Sequence, residues 1–108
     1  MILVTTETIP GREIQKSLGL VRGNTVRAKH IGRDILAVLR NLVGGEITEY
    51  SELMTEARNE ALNRMIAQAE QQGAEAVVGI RFVTAQIGQG SAELVAYGTA
   101  VKLSEGET

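Results

Sequence analysis

The chain has 108 residues, a formal net charge of −2, no cysteine, and 44% hydrophobic but only 3% aromatic residues. This length suits one domain with an aliphatic core. The slightly acidic balance disfavours nucleic acid or an anionic membrane surface as the main partner. The lack of cysteine excludes disulfides, thiolate metal sites and cysteine nucleophiles. We therefore expect a single domain over residues 1–103 and a polar tail over residues 104–108.

The apolar run at the N-terminus is short. Met1 to Val4 is apolar, but the chain turns polar at Thr5, before the length that a signal peptide needs. No other stretch approaches the ~20 apolar residues of a membrane helix. We expect a cytoplasmic protein without membrane contacts.

The first quarter of the chain is typical of extended structure. β-branched residues predict a short strand over Met1–Thr6, and Pro10-Gly11 marks the turn that follows. In Arg12–Lys29 apolar residues alternate imperfectly with charged ones, and Gly19 and Gly23-Asn24 interrupt the alternation as bulges or turns would. This pattern predicts a strand, a bend and a second strand.

Two helices are predicted in the middle of the chain. Apolar residues recur at helical spacing between Ile31 and Leu42, and Gly44-Gly45 ends this short first helix. The second helix is predicted from about Thr48 to Gln72, and Gly73 provides its left-handed stop. An apolar and a polar side separate on its helical wheel. The apolar side comprises Leu53, Met54, Ala57, Ala61, Leu62, Met65 and Ala69.

Two apolar strands are predicted in the last third of the chain. The first covers Ala76–Val83 and is apolar on both sides apart from Arg81, and the second covers Glu93–Leu103. The stretch from Gly88 to Ser91 predicts the hairpin turn between them. Because both sides of these strands are apolar in so small a chain, we expect a second subunit to cover one face of the sheet.

Glycine and alanine spacings along the chain match those of one family. The residues that carry the likeness are Thr5-Thr6, Pro10-Gly11, Ile14, Gly19, Val21, Gly23, Gly44-Gly45-Glu46, Tyr50, Ala57-Arg58, Ala61, Gly73-Ala74, Ala76-Val77-Val78-Gly79 and Ala96-Tyr97-Gly98-Thr99-Ala100-Val101. In this pattern the chain resembles the YbjQ-like proteins, a family labelled heavy-metal-binding, over nearly its whole length. The resemblance implies a two-layer α+β subunit with a mixed or antiparallel sheet, two helices and a dodecin-like arrangement, assembled into a homopentameric ring. It implies little about activity.

The composition of this chain does not favour the heavy-metal binding for which the family is labelled. Soft metals favour thiolate or imidazole ligands, and the sequence has no cysteine and a single histidine, His30. A histidine at this position is more often a structural or surface residue than a ligand or general base. Glu52, Glu56 and Glu60 follow an i, i+4 spacing that is typical of a solvated helix side. We expect no cofactor, and the metal ligands stay unassigned.

Arg58 is the residue that the helix pattern does not explain. On the helical wheel it falls inside the apolar stripe, and a buried cation needs oxygen partners. Possible partners are Glu46, Glu75 or Glu93, with hydroxyl groups from tyrosines, or an anion bound between subunits. Two roles stay open, an ion pair that fixes structure or assembly and a ligand-binding arginine. The ligand or interface candidates are therefore Arg58, Tyr50, Glu93, Tyr97 and Glu46.

Charge is also distributed unevenly along the chain. Arg22, Arg27, Lys29 and Arg33 form a basic cluster that could hold an anion, whereas the stretch from Glu46 to Glu75 is acidic. Complementary contact between neighbouring subunits explains both stretches without a ligand.

These features favour a small cytoplasmic homo-oligomer, most simply a pentamer, with a binding or assembly role and no catalysis of its own. A small ligand or a metal ion stays open as a partner. One alternative is a metal-binding ring with carboxylate or histidine ligands that converge at its axis or interface. Another is a hydrolase or isomerase that holds His30 and a glutamate in one cleft. A ring that stores a flavin is disfavoured because tryptophan is absent.

Overall fold

The computed structural model describes residues 1–27, 48–86 and 92–105 and shows an α+β fold, with one helix packed on a four-stranded mixed sheet. The sheet order is β1-β3-β4-β2, in which β1 runs parallel to β3 and the other pairs are antiparallel. The strands are β1 (Ile2–Leu3), β2 (Ile14–Arg27), β3 (Ala76–Gln86) and β4 (Ala92–Leu103), and the helix is α1 (Thr48–Gln71).

Helix α1 matches its prediction closely, and its end shows why. Gly73 adopts a φ of 75°, the left-handed conformation that glycine tolerates best. The amide of Ala74 donates to the Ala69 carbonyl at 3.1 Å, and the amide of Gly73 donates to the Glu70 carbonyl at 3.0 Å. This pair of bonds satisfies the last carbonyl groups of the helix and turns the chain into β3. Within the described residues, no helix is both long and apolar enough to cross a membrane.

The core lies between α1 and the sheet face that α1 covers, which we call the helix face. The buried residues of α1 are Ala57, Ala61, Met65 and Ala69, spaced four apart along a single ridge. They pack against buried small and β-branched side chains of the sheet, which are Val21, Val77, Ile80, Ala96 and Ala100. The predicted apolar side of α1 is therefore confirmed from Ala57 onward, although it is narrower than the wheel indicates, since Met54 and Leu62 are only half-buried. The side chain of Leu53 lies outside the described residues.

The predicted bend in the middle of the second extended segment is wrong at Gly23-Asn24. β2 is one strand, with register shifts near Ile14 and again before Gly19, and Gly23 pairs in register with Ala96. A Cβ built on Gly23 would lie 2.7 Å from the Cβ of Arg64, and it would meet α1 backbone atoms even closer. The glycine is therefore required because the helix backbone crosses the strand there, and no turn is involved.

Side chains of α1 also cover the outer edge of β2. The Arg22 amide donates to Oε1 of Gln68 at 2.6 Å, and Arg64 donates to the Asn24 carbonyl at 2.5 Å. These bonds satisfy backbone groups that an edge strand would otherwise offer to another chain. Two backbone groups of this edge are thus occupied by side chains of the subunit's own helix.

The N-terminal segment covers part of the opposite sheet face. The predicted strand over Met1–Thr6 is confirmed in shortened form as β1, and its backbone bonding continues along β3, where the Gly79 amide donates to the Thr6 carbonyl at 2.9 Å. Two side chains of the segment, together with the first residue of β2, pack on a second buried cluster. They are Val4, Ile9 and Ile14, and the cluster comprises Ala76, Val78, Val101 and Leu103. One half of this face is closed as a result.

Two predicted elements lie outside the described residues, namely the short helix between Ile31 and Leu42 and the turn over residues 88–91. The flanking strands of that turn do pair, because Gln86 is opposite Ala92. The last strand extends one residue beyond its predicted start at Glu93, and β3 continues past its predicted end at Val83.

Candidate functional site on the open face of the sheet

The side chains on the sheet surface away from α1 form what we call the open face. Strand alternation and the pairing register place them there, since their neighbours along each strand point into the core. Towards one end the N-terminal segment covers this face, and towards the other end no described residue does. The open face comprises Ser17, Leu20, Arg22, Asn24, Val78, Arg81, Val83, Glu93, Val95, Tyr97 and Thr99.

A groove of about 480 Å³ lies on the open face beside the N-terminal segment. This volume falls within the range of about 300–1,000 Å³ that small-molecule sites occupy. Its lining combines two charges, two hydroxyl groups and an apolar floor. The residues are Glu7, Ile14, Ser17, Val78, Gly79, Arg81, Thr99 and Val101.

Arg81 is the cationic side chain of the groove, and two backbone carbonyl groups hold one side of its guanidinium group. Its Nη1 atom donates to the Thr5 carbonyl at 2.7 Å and to the Ile80 carbonyl at 2.9 Å. In the described part of the chain its Nε and Nη2 atoms make no hydrogen bond, and it forms no ion pair. A guanidinium held in this way presents a free pair of donors to an anionic group.

A row of three polar side chains crosses the open face next to the groove. Tyr97 of β4 is opposite Arg22 on one side and opposite Arg81 on the other. Directly opposed residues in antiparallel strands bring their Cβ atoms within about 5.5 Å, so the ring lies between two cations. Arg22 belongs to a second, smaller cavity of about 190 Å³, which it shares with Asn24, Glu93 and Val95.

The structure corrects the prediction for Arg58. Its side chain is exposed in the single chain, because the buried ridge of α1 consists only of residues spaced four apart and Arg58 follows the ridge residue Ala57 by one position. No hydrogen bond or ion pair joins it to any other described residue. The predicted burial of Arg58 within the single chain, which was the reason to expect an ion pair inside the subunit, is therefore wrong. A role of Arg58 between subunits stays a prediction.

The other predicted candidates do not come together around Arg58. Glu93 and Tyr97 lie on the open face, across the sheet from α1, and Glu75 accepts a hydrogen bond from the Leu103 amide at 3.1 Å. Glu46 and His30 lie outside the described residues, as does the side chain of Tyr50. The sheet thus separates Arg58 from the two candidates that the structure describes.

Sequence reasoning missed the groove because its lining comes from four separate segments. Glu7, Ser17 and Thr99 stand in ordinary polar positions of strands and turns, and nothing in their local pattern marks them. The available signal was Arg81, a cation in the middle of an otherwise apolar strand. A charge in such a position requires solvent or a polar partner, and it indicates the place where the sheet is open.

The donor chemistry of the described residues does not fit a heavy-metal site. The chain has no cysteine, and among the side chains that the structure describes no three histidine, aspartate or glutamate residues lie close enough to share a metal ion. Soft metals require such converging sulfur or nitrogen donors. We therefore assign no metal ligand in this part of the chain.

Comparison with known proteins places the chain in a family. A family model described as "Putative heavy-metal-binding" matches residues 1–104. A UPF0145 protein of Archaeoglobus fulgidus is 62% identical over 103 residues, which cover 95% of each chain. A UPF0145 protein of Vibrio parahaemolyticus is 59% identical over 105 residues, which cover 97% of this chain and all of that protein.

A solved structure supports the fold. A protein of unknown function from Pediococcus pentosaceus, which belongs to the DUF74 family, superposes with a TM-score of 0.62 at 15% identity. The match covers 96% of this chain and 98% of that one, and at this identity it shows the fold alone. The family model and the close relatives lead to one conclusion: the chain belongs to the YbjQ family.

Proposed function

We propose that the chain is a non-catalytic subunit of a closed homo-oligomer of about five copies and that it acts through binding and assembly. One observation carries this proposal. The outer edge of β3 beyond Ile80 has no backbone partner among the described residues, and two large apolar side chains on it are exposed. These are Phe82, 43% exposed, and Val83, 50% exposed.

An apolar edge strand favours association with another chain. Its free N–H and C=O groups can extend a sheet, and Phe82 and Val83 point to opposite faces of that sheet. If another part of the same subunit covered one face, the residue on the other face, Phe82 or Val83, would therefore stay exposed. A second copy that pairs with the edge buries both.

The sheet edges leave two arrangements open, a ring and a twofold dimer. Gln68 and Arg64 occupy two backbone groups on the outer edge of β2, so β3 of one subunit is expected to meet a different surface on its neighbour or another β3. Contact between unlike surfaces closes into a ring when the rotation permits. The resemblance to YbjQ-like proteins favours the ring, and five is the copy number it implies.

The non-catalytic part of the proposal rests on composition. The chain has no cysteine nucleophile and a single histidine, the commonest general base. The enzyme alternative needs His30 and a glutamate in one cleft, and the metal-binding alternative needs ligands that converge at a subunit boundary. The enzyme alternative depends on His30, and so does a metal site with a histidine ligand, so His30→Ala tests these two through activity screening and zinc titration.

Native mass spectrometry of wild type and Val83→Lys tests the oligomer. We expect about five subunits for wild type at micromolar concentration. Val83→Lys places a charge on the β3 edge and is expected to yield mainly smaller species with unchanged far-UV circular dichroism. Asn63→Lys adds the same charge on the exposed side of α1 and serves as the control, with wild-type mass expected.

Two results would contradict the proposal. A wild-type monomer under these conditions would remove the oligomer altogether. A wild-type dimer that Val83→Lys dissociates would replace the ring with a β3–β3 pair.

A further inference from the structure

We propose that the groove on the open face binds a small aliphatic amino acid, with its carboxylate at Arg81, its ammonium group at Glu7 and its side chain on the apolar floor. The groove is formed within one chain, between the N-terminal segment and the sheet. The inference therefore names a ligand class that the proposed oligomer does not require.

The two charges that line the groove carry the inference. Glu7 and Arg81 line the same cavity, yet they form no ion pair with each other, and neither has an ion-pair partner in the described part of the chain. A ligand with one anionic and one cationic group satisfies both at once. A simple anion would meet the charge of Glu7 at close range, and a simple cation would meet that of Arg81.

The anchoring of Arg81 suits it to a carboxylate. Thr5 and Ile80 occupy both hydrogens of Nη1, which leaves the edge formed by Nε and Nη2 for a bidentate contact. Because two carbonyl groups already hold the side chain, binding costs less conformational entropy than it would for a free arginine. The hydroxyl groups of Ser17 and Thr99 lie in the same lining and can donate to the second carboxylate oxygen.

The floor of the groove selects the rest of the ligand. It consists of Ile14, Val78 and Val101, of which the two valines are almost fully buried. Ile14 is the half-buried member of the floor, so an aliphatic side chain removes apolar surface from water mainly by packing on Ile14, whereas a polar side chain would lose hydration without a partner. The tyrosine–arginine row would instead suit a planar anion, but Arg22 faces the smaller cavity and is absent from the groove lining.

Titration of the whole chain by heteronuclear NMR tests the assignment with three probes. L-leucine carries both charges, isovalerate lacks the amine, and 3-methylbutylamine lacks the carboxylate. We expect L-leucine to bind about tenfold more tightly than either fragment, because each fragment leaves one charged partner unsatisfied. The largest shifts are expected at Arg81, Thr99 and the N-terminal segment.

Matched variants then assign each charge. Glu7→Gln is expected to lower L-leucine affinity to about that of isovalerate while the affinity for isovalerate does not fall. Glu13→Gln removes an exposed carboxylate outside the groove and is expected to leave both affinities unchanged. Arg81→Lys keeps the charge but removes the planar fork, and it is expected to weaken L-leucine and isovalerate alike.

Three outcomes would overturn the inference. They are L-leucine binding no tighter than both fragments, an equal loss of isovalerate affinity in Glu7→Gln, and an equal effect of Glu13→Gln. Subunit number is read separately by native mass spectrometry. A monomer that binds L-leucine would contradict the ring alone, and a pentamer that ignores L-leucine would contradict the ligand alone.

Discussion

The two faces of the sheet differ in how completely they are closed. On the helix face Val21, Ala96 and Ala100 are fully buried, and a single row of small residues on α1 packs against them. On the open face the neighbouring residues Tyr97 and Thr99 are half-buried, and Leu20 is 66% exposed. Residues that are adjacent on one strand thus have opposite environments. The helix face supplies the buried core of the subunit, while the open face is the surface on which we propose that a ligand binds.

The difference follows from side-chain size and charge. The helix face has alanine and glycine where the two layers meet, so the backbones approach closely and leave no room for a ligand. The open face has arginine, tyrosine and hydroxyl groups that cannot close into a dry core. Substitutions on neighbouring residues of one strand can therefore separate stability from binding.

Gly23→Ala should produce the largest effect on the helix face. The added Cβ would meet the Ala61 carbonyl oxygen and the Met65 amide nitrogen, which are backbone atoms and cannot rotate away. Overpacking typically costs about 1–3 kcal/mol, and here a rigid helix must move off the sheet, so we expect the upper end or failure to fold. Thermal denaturation followed by circular dichroism measures the effect.

Arg22→Ala is the matched control for that substitution. It changes the adjacent residue of β2, whose side chain lies on the open face, and it leaves the backbone bond to Gln68 in place. We expect a melting temperature close to that of wild type. Equal destabilisation by the two substitutions would show that the two faces do not differ as described.

The regular elements were predictable because their signals are local. The amphipathic period of α1, the glycine at residue 73 and the apolar alternation of β4 each act over a few neighbouring residues. Gly23 misleads the same reasoning because glycine serves both turns and close packing, and only the position of α1 distinguishes them. A tertiary contact therefore decided this element, and the local pattern did not.

The candidate site was harder to predict for the same reason. The wheel places Arg58 in the apolar stripe, but the width of the buried stripe depends on how closely the sheet approaches, and with alanines the contact is narrow. The groove joins Glu7 to Arg81 and Thr99, which are remote in sequence. Among the predicted candidates whose side chains the structure describes, Tyr97 and Glu93 reach the open face and Arg58 does not.

Val21→Ala and Leu20→Ala give the next comparison, on consecutive residues of β2. Val21 is fully buried, so its truncation removes about two methylene equivalents from the core and should cost about 2 kcal/mol in unfolding free energy. Leu20 is mostly exposed in the single chain, and its truncation should cost less than about 0.5 kcal/mol. Urea denaturation of both variants measures the difference.

An equal or larger loss of unfolding free energy in Leu20→Ala than in Val21→Ala would change the assignment of the open face. If Leu20→Ala destabilises as much as Val21→Ala, the open face must be covered in solution, and a neighbouring subunit is the covering partner that the ring supplies. Dilution then distinguishes a contact between subunits from a contact within one subunit. The loss of unfolding free energy in Leu20→Ala falls as the oligomer dissociates if the lost contact lies between subunits.

The smallest predicted effect distinguishes two arginines on α1. Arg64 donates to the Asn24 carbonyl and pairs with Glu60, both with 2.5 Å between the bonded atoms, whereas Arg58 has no partner among the described residues. Arg64 and Glu60 are substantially exposed, so solvent screening limits the pair, and Arg64→Ala should cost about 1 kcal/mol. Arg58→Ala should stay within about 0.5 kcal/mol in the same urea titration.

The number of subunits, read from the mass of the oligomer by native mass spectrometry, adds the second half of this test. The packing of the single chain predicts that neither Arg64→Ala nor Arg58→Ala alters the number of subunits. Both side chains lie on α1, away from the β3 edge. If Arg58→Ala dissociates the oligomer while its unfolding free energy barely changes, Arg58 binds an acidic group on a neighbouring subunit. Arg58→Lys should then restore the mass only in part, because an ammonium group cannot replace a bidentate guanidinium. If the mass holds in both variants, the contacts between subunits do not depend on either arginine.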